Sequence, residues 1–217
     1  PVRVAAEVKG FEPPDVVSPK EARRLDRNVL LAVEAGRQAL DDAGLDSHYQ
    51  PRRVGIAFGS AIGGFLGIME QHEVLQERGP TRVSPYFLPS VLVDSASGQL
   101  AISLGLKGPN YAPVSACATG SHAVGEGAEI IRRGDADAML AGGTEACMHP
   151  LILAGFCAMR GLAAEEEYPP RASRPFDAER DGFVMGDGAG ILVLEERESA
   201  IARGARIYAE LAGYGLS

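Results

Sequence analysis

Two spacings of apolar residues alternate along the chain, one typical of helices and the other of strands. The most regular helix is predicted from Ser18 to Gly44, because a capping box with proline at the first helical position opens it and apolar residues then recur at helical spacing. Short apolar runs bounded by glycine or proline predict strands. The predicted strands are 2–8, 53–58, 111–116, 136–141, 190–194 and 206–213, and further helices are predicted at 65–78, 90–104, 118–133, 151–159 and 197–203.

Strands that alternate with helices in this order predict an α/β fold. Its sheet is expected to be largely parallel and covered by helices. A length of 217 residues allows one large domain or two small ones. Glycine is abundant, with 27 residues, so many backbone segments are expected to turn sharply or pack closely.

Charge and cysteine content exclude several classes of protein. The chain carries 21 basic and 29 acidic residues, a net charge of −8, which argues against general affinity for nucleic acid. No apolar stretch is long enough for a membrane span. The three cysteines are odd in number and widely spaced, which fits neither a disulfide framework nor a zinc site and predicts a reducing, cytoplasmic compartment.

Two glycine-rich or acidic segments imitate ligand-binding motifs but lack an essential residue. The turn Gly59–Gly64 does not end in the Gly-Lys-Ser/Thr of a phosphate-binding loop. The run that begins at Asp177 has Gly188 at the twelfth position, where a calcium loop requires glutamate. We therefore expect neither a cofactor nor a metal site.

The sharpest chemical feature is Cys117, which is predicted at the junction of a strand and a helix. Free N–H groups at a helix N-terminus favour a thiolate and can stabilise an oxyanion beside it, so Cys117 is a candidate nucleophile. The alternative is a small buried core residue, the usual role of a free cysteine. Cys147 and Cys157 lie in apolar surroundings and are predicted to be core residues. His122 falls on a polar helix face, and no Cys–His pair is assigned.

Five ordered motifs relate the chain to a known family. They are Ser115–Gly120, Gly134–Asp137, Ala141–Glu145, Ser173–Asp177 and Arg180–Val184. Together they resemble the β-ketoacyl-acyl carrier protein synthases, the elongating condensing enzymes of fatty acid synthesis, and within them the type II synthase. The resemblance runs along essentially all of the chain. It implies a thiolase-like fold of αβαβα layers, mostly the first of two related halves, and a homodimer.

By the same resemblance, residues 1–217 form an incomplete condensing-enzyme domain. The family has a further strand and glycine-rich turn before the segment that matches Pro1, and a whole second half after the sequence that matches Gly213–Ser217. That half holds two catalytic histidines, a lysine and part of the oxyanion hole. The implied reaction transfers an acyl group from acyl carrier protein to Cys117 and then condenses it with a decarboxylated malonyl unit. This segment alone is expected not to condense anything.

The resemblance also implies residues that bind the acyl chain and the carrier. Ile62 and Phe156 match the lining of the acyl pocket, and Phe87 with Leu88 would reach that pocket across the dimer interface; a plain core role is the alternative for each. The basic residues Lys20, Arg23 and Arg24 are spaced to lie on one side of the first helix, where they would meet the acidic carrier protein or simply solvent. Arg82 and Arg160 match further basic positions near the pocket mouth.

Other functions remain open at this point. The nearest is the ketosynthase of a polyketide synthase, although the Ala118-Thr119-Gly120 sequence after the cysteine resembles the discrete fatty acid enzymes more. A noncatalytic partner subunit of the same fold would lack the cysteine, which is present here. An inactive fragment is the third alternative.

Overall fold

The computed structural model describes residue 2 and residues 4–45, 48–164 and 169–216, which form a four-stranded sheet flanked by helices. The helices in this part of the chain are α1 (Pro19–Ala22), α2 (Arg27–Ala43), α3 (Phe65–Arg78), α4 (Phe87–Val91), α5 (Ser95–Leu104), α6 (Thr119–Arg132), α7 (Pro150–Ala158) and α8 (Arg197–Ala202). The strands are β1 (Val54–Gly59), β2 (Asn110–Tyr111), β3 (Ala138–Glu145) and β4 (Gly188–Glu195). The predicted α/β class is confirmed.

The sheet has the strand order β2-β1-β3-β4. β1 is parallel to both β2 and β3, and Ile56 of β1 is opposite Leu140 of β3. β4 runs antiparallel to β3, with Leu140 opposite Val193. The expectation of a largely parallel sheet therefore holds for three strands, and β4 is the exception.

Side chains that alternate along β1 and β3 supply two separate cores. Ile56, Phe58 and Leu140 are fully buried on one face, where they pack against α2 and α5. Ala57 and Met139 point to the other face, which α6 covers. Burial of each large side chain contributes about 1.5–3 kcal/mol to folding. The result is a layer of strands between two layers of helices.

Small residues let α6 lie very close to the sheet. A Cβ at Gly127 would lie 3.3 Å from both the Ala141 Cβ and the Leu194 Cδ1, and a Cβ at Gly125 would overlap the ring of Tyr214. A larger residue at Gly127 would press against the sheet, and one at Gly125 would displace the Tyr214 ring. The close packing expected from the glycine content is confirmed for this helix.

The predicted helix from Ser18 to Gly44 is two helices. Its capping box is confirmed, because the Glu21 N–H donates to Ser18 Oγ and the Ser18 N–H donates to the Glu21 carboxylate. α1 nevertheless ends after one turn. The buried Asp26 starts α2 anew as its N-cap, accepting the Asn28 N–H at 3.2 Å and the Gly67 N–H at 2.7 Å. The predicted helix 90–104 is likewise divided, into α4 and α5.

Three predicted strands are wrong or much shorter. The run 111–116 contributes only Tyr111, the second residue of β2, and Pro113, which lacks a backbone donor, lies in the part that does not pair. The described part of 2–8 forms a single bridge between Ala6 and Gly186. The run 206–213 pairs with no strand in the described residues. A strand-like sequence becomes a strand only where another strand offers hydrogen bonds.

Candidate active site

Cys117 lies on a short 3₁₀ turn, Ala116–Ala118, directly before α6, and it is exposed. The first turn of α6 rests on the carboxyl ends of two parallel strands: a Cβ on Gly143 of β3 would lie 3.5 Å from the Gly120 Cα, and one on Gly59 of β1 would touch Thr119. The predicted direct passage from strand to helix is wrong, since β2 ends six residues before Cys117. The predicted place at a helix N-terminus agrees with the structure.

The residue before the cysteine has a strained backbone. Ala116 has φ of 50°, in the left-handed region that costs a residue with a Cβ about 1–2 kcal/mol. Two hydrogen bonds hold the turn in this shape: the Ser115 N–H donates to Thr119 Oγ1 at 2.9 Å, and the Ala118 N–H donates to the Ser115 carbonyl at 3.1 Å. Such strain persists where the surroundings fix the backbone, and it is frequent at functional sites.

His122 has a role that the sequence did not reveal. Its Nδ1 lies 2.6 Å from Ser115 Oγ, within hydrogen-bond distance, and its ring meets the Tyr214 ring edge-on with 6.4 Å between centroids. The side chain lies on the polar helix face, as predicted, but it is half-buried and makes its polar contact with Ser115. No helical spacing pointed to this pair, because Ser115 precedes α6 and the two residues are brought together by the turn that carries Cys117.

The other two cysteines are core residues, as predicted. Cys147 is 4% exposed and forms the centre of an apolar cluster with Leu162 and Met185, and the half-buried Cys157 packs against that cluster. Burial, together with the nearby charge of Glu145, raises the pKa of the Cys147 thiol to about 11. A thiol with this pKa is protonated and unreactive near neutral pH.

Two of the predicted acyl-pocket residues come together in the same cluster. Ile62, in the turn after β1, and Phe156, on α7, both pack against it, and the Phe156 ring meets Phe183 edge-on at 5.2 Å. The other two lie elsewhere, on α4, where Phe87 is half-buried and Leu88 is 64% exposed. The structure thus brings together the two residues expected from one chain and separates them from the two expected to act across a dimer.

A partly buried carboxylate fixes the turn that carries Ile62. At the end of β3, Glu145 accepts the Ser60 hydroxyl at 2.9 Å and the Ala61 N–H at 2.8 Å. Ser60 Oγ in turn accepts the Gly63 N–H at 2.8 Å. Burial raises the pKa of Glu145, and these hydrogen bonds oppose that shift. Sequence reasoning missed this clamp because its partners are 85 residues apart.

The predicted carrier-binding residues lie at the surface, but not on one continuous helix. Lys20 and Arg23 are exposed, and Arg23 is the C-cap of α1, so the expected helical face ends there. The Arg24 guanidinium stacks on the Tyr86 ring, 3.9 Å from its centroid, at a groove of about 400 Å³. Two further predicted positions are also exposed, namely Arg82 and Arg160.

Among the described residues, no group of three or more His, Cys, Asp and Glu side chains is arranged to hold a metal ion. None of the described helices combines the length and the apolar character that crossing a membrane requires.

An exposed cysteine at the start of a long helix, above the carboxyl ends of parallel strands, is an arrangement in which a thiol can act as a nucleophile. Residues 4–200 match the Beta-ketoacyl synthase, N-terminal domain. The chain belongs to this family, and the resemblance found in its five motifs is confirmed.

Comparison with individual proteins gives the same result. The chain is 50% identical over 216 residues to the 3-oxoacyl-[acyl-carrier-protein] synthase 2 of Vibrio cholerae, with 99% of this chain and 52% of that protein covered. A β-ketoacyl synthase from Burkholderia phymatum has a similar structure, with a TM-score of 0.82, 35% identity, and 93% of this chain and 50% of that chain covered. The thiolase-like fold is confirmed.

A second solved structure is a type II polyketide synthase acyl-carrier protein in complex with its ketosynthase bound to the hexaketide. The likeness has a TM-score of 0.75 and 37% identity, and it covers 86% of this chain and 48% of that chain. The chain spans about half the length of the curated relatives it matches.

Proposed function

We propose that the chain is the nucleophile-bearing part of a 3-oxoacyl-acyl carrier protein synthase of fatty acid elongation. The observation that carries this proposal is the exposed Cys117 at the N-terminus of α6. Its thiolate attacks the carbonyl of an acyl thioester, and the carrier thiol leaves, which gives an acyl-enzyme. A malonyl thioester then loses carbon dioxide, and the resulting carbanion attacks the acyl group and releases the Cys117 thiolate.

The start of α6 is suited to the charge that develops in both steps. Each attack on a carbonyl produces an oxyanion, and backbone N–H groups aimed at it are the usual means of stabilising it. In this proposal the Cys117 N–H donates to the oxyanion. The condensation step also needs histidines and a lysine that the family resemblance assigns to the other half of the domain, so this step is a property of the whole protein.

The acyl chain is proposed to enter beside the cluster around Cys147, with Ile62 and Phe156 in its wall. Support comes from their common packing partners and from the turn that Glu145 holds in place. Phe87 and Leu88 would act from the second subunit of a homodimer. The exposure of Leu88, a large apolar side chain, supports that role. The compartment proposed for the enzyme is the cytoplasm.

The partner in both steps is proposed to be acyl carrier protein, an acidic protein. A chain of net charge −8 would repel it unless a basic surface meets it. Lys20 and Arg23 are exposed on and directly after α1, and Arg24 lines the adjacent groove. Arg82 and Arg160 would extend the contact. The complex of a related ketosynthase with its acyl-carrier protein supports a partnership of this kind.

The test uses the complete natural protein that contains these 217 residues. It is incubated with acyl-acyl carrier protein, digested, and mapped by mass spectrometry beside Cys117→Ala and the matched control Cys157→Ala. We expect acylation of Cys117 in the parent and in Cys157→Ala, and none in Cys117→Ala. Acylation mainly at Cys147 or Cys157 would overturn the assignment.

A polyketide ketosynthase is the second candidate, and the likeness to a type II polyketide ketosynthase favours it. The two differ in the group that they accept. Rapid extension of saturated acyl groups supports fatty acid elongation, whereas a preference for unreduced polyketide groups supports the alternative. Acylation of Cys117 without any condensation by the complete protein would contradict both candidates, because each of them extends the acyl group.

A further inference from the structure

Ser115 and His122 stand on either side of the nucleophile in sequence and meet in space. Ser115 lies two residues before Cys117, and His122 lies on the second turn of α6, five residues after it. Their hydrogen bond, 2.6 Å between Ser115 Oγ and His122 Nδ1, closes the turn that holds the cysteine. Both side chains are half-buried.

This bond is one of several that fix the backbone around Cys117, another being that from the Thr119 N–H to the Ala116 carbonyl. Ser115 also binds Thr119 through its N–H and Ala118 through its carbonyl, so every polar group of Ser115 is tied to α6 or to the turn before it. Between these anchors Ala116 is held at φ of 50°. A left-handed alanine relaxes unless its neighbours prevent it, and relaxation would turn the next residue, Cys117, away from its present direction.

His122 is itself supported from behind. The Tyr214 ring packs edge-on against it, and the absence of a side chain at Gly125 makes room for that ring. The imidazole is therefore held between Tyr214 and Ser115. Because the ring is contacted on two sides, it keeps the Ser115 side chain at a fixed position relative to α6.

We propose that the Ser115–His122 pair is a positioning device that orients the Cys117 thiolate for attack on the thioester carbonyl. The inference rests on the proposed function of Cys117 as the acyl acceptor. His122 is a positioning residue in this scheme, since its Nδ1 is engaged by Ser115. Orientation matters more for acyl transfer, where the oxyanion must also reach backbone N–H groups, than for attack on a small alkylating reagent.

The experiment compares two reactions of Cys117 in the complete natural protein. Acylation by an acyl-coenzyme A is followed in single turnover by mass spectrometry, and alkylation by iodoacetamide is followed in parallel. We expect Ser115→Ala and His122→Ala each to slow acylation about three- to tenfold, the factor that one hydrogen bond carries, and to change alkylation less than about twofold. The double variant should be no slower than either single variant.

Two further variants separate positioning from general structural damage. His122→Asn places an amide near the position of Nδ1 and should restore most of the acylation rate, whereas His122→Gln, whose amide reaches toward Nε2, should not. Ser121→Ala, an exposed serine on the same helix, is the matched control and should behave as the parent. Melting temperatures are measured for every variant.

Equal losses of acylation and alkylation, additive losses in the double variant, or parent-like acylation in His122→Ala would each overturn the inference. A lower melting temperature with a normal acylation rate per folded molecule would also overturn it. If the parent itself shows no acylation of Cys117, the proposed function fails instead, so the two failures are distinguished.

Discussion

Ser60 offers the sharpest test of how the predicted acyl-pocket wall is held. Its side chain is 1% exposed and makes two hydrogen bonds, donating to Glu145 at 2.9 Å and accepting the Gly63 N–H at 2.8 Å. Ser60→Ala removes one oxygen and changes the volume very little. The substitution therefore isolates these two bonds, which fix the turn that carries Ile62.

The expected cost follows from the two groups left behind. The buried Gly63 N–H loses its acceptor, which costs about 1–3 kcal/mol, and the carboxylate of Glu145 loses a donor, which costs about 1.5–3 kcal/mol. Relaxation recovers part of this, so we expect the free energy of unfolding to fall by about 3 kcal/mol. For a chain of this size that loss lowers the melting temperature by about 6–12 °C.

The effect of Ser60→Ala on stability should also depend on pH, in a direction that the pKa of Glu145 sets. Burial raises the pKa of Glu145, so the folded state retains its proton at pH values where the unfolded carboxyl has already lost it. Stability from this group is thus lost as pH rises above the ordinary value of 4.5. The Ser60 bond opposes the shift, and its removal raises the pKa further. The loss in free energy of unfolding caused by Ser60→Ala should therefore be larger at pH 7 than at pH 4.

Denaturant unfolding at both pH values measures the effect, with the exposed Ser121→Ala as the control, which should stay within about 0.5 kcal/mol of the parent. A loss below about 1 kcal/mol at pH 7, or a deficit that does not grow with pH, would refute the reasoning. It would mean that apolar packing holds the turn and that the clamp is incidental.

Three further predictions concern the pocket, the docking surface and the buried thiol. Ile62→Phe should reduce the use of long acyl chains before short ones, and an unchanged chain-length profile would remove Ile62 from the pocket. Charge reversal of Arg23 and Arg24 to Glu should slow acylation from carrier protein several-fold at low salt but spare acylation from acyl-coenzyme A; equal loss with both donors would indicate misfolding. Cys147, with a pKa of about 11, should react with iodoacetamide after Cys117, and its rate should rise about tenfold per pH unit between pH 7 and 10; reaction as fast as that of Cys117 would contradict its burial.

The parts of the fold that sequence predicts are those set by local rules. The capping box at Ser18, the apolar repeat of α2 and the buried strand β1 all follow from residues within a few positions of one another. The place of Cys117 before α6 was predictable for the same reason. So was the burial of Cys147, because its immediate neighbours in the chain, Ala146 and Met148, are apolar.

The parts that sequence missed depend on partners far away in the chain. α2 starts at Asp26 because that carboxylate also accepts the Gly67 N–H, 41 residues later. The contact between Ser115 and His122 depends on the left-handed backbone of Ala116, and an alanine in the sequence does not predict that conformation. Strand-like runs such as 206–213 have the right composition, but pairing is a property of the neighbour, not of the run itself.

The segment between β1 and α3 shows why these distant bonds matter for function. The N-cap of α3 is Gly64, which has no side chain to cap the helix, so the free N–H groups of the first turn need acceptors from elsewhere. Asp26 at the start of α2 accepts the Gly67 N–H, and Glu145 at the end of β3 accepts the Ala61 N–H. Both carboxylates have pKa values raised by burial, and both face the positive end of a helix or a turn of N–H groups, where negative charge is favoured. The main chain on both sides of the predicted pocket residue is thus held by charged acceptors on two other elements, so its position is set by the sheet and α2 and not by its own apolar contacts alone.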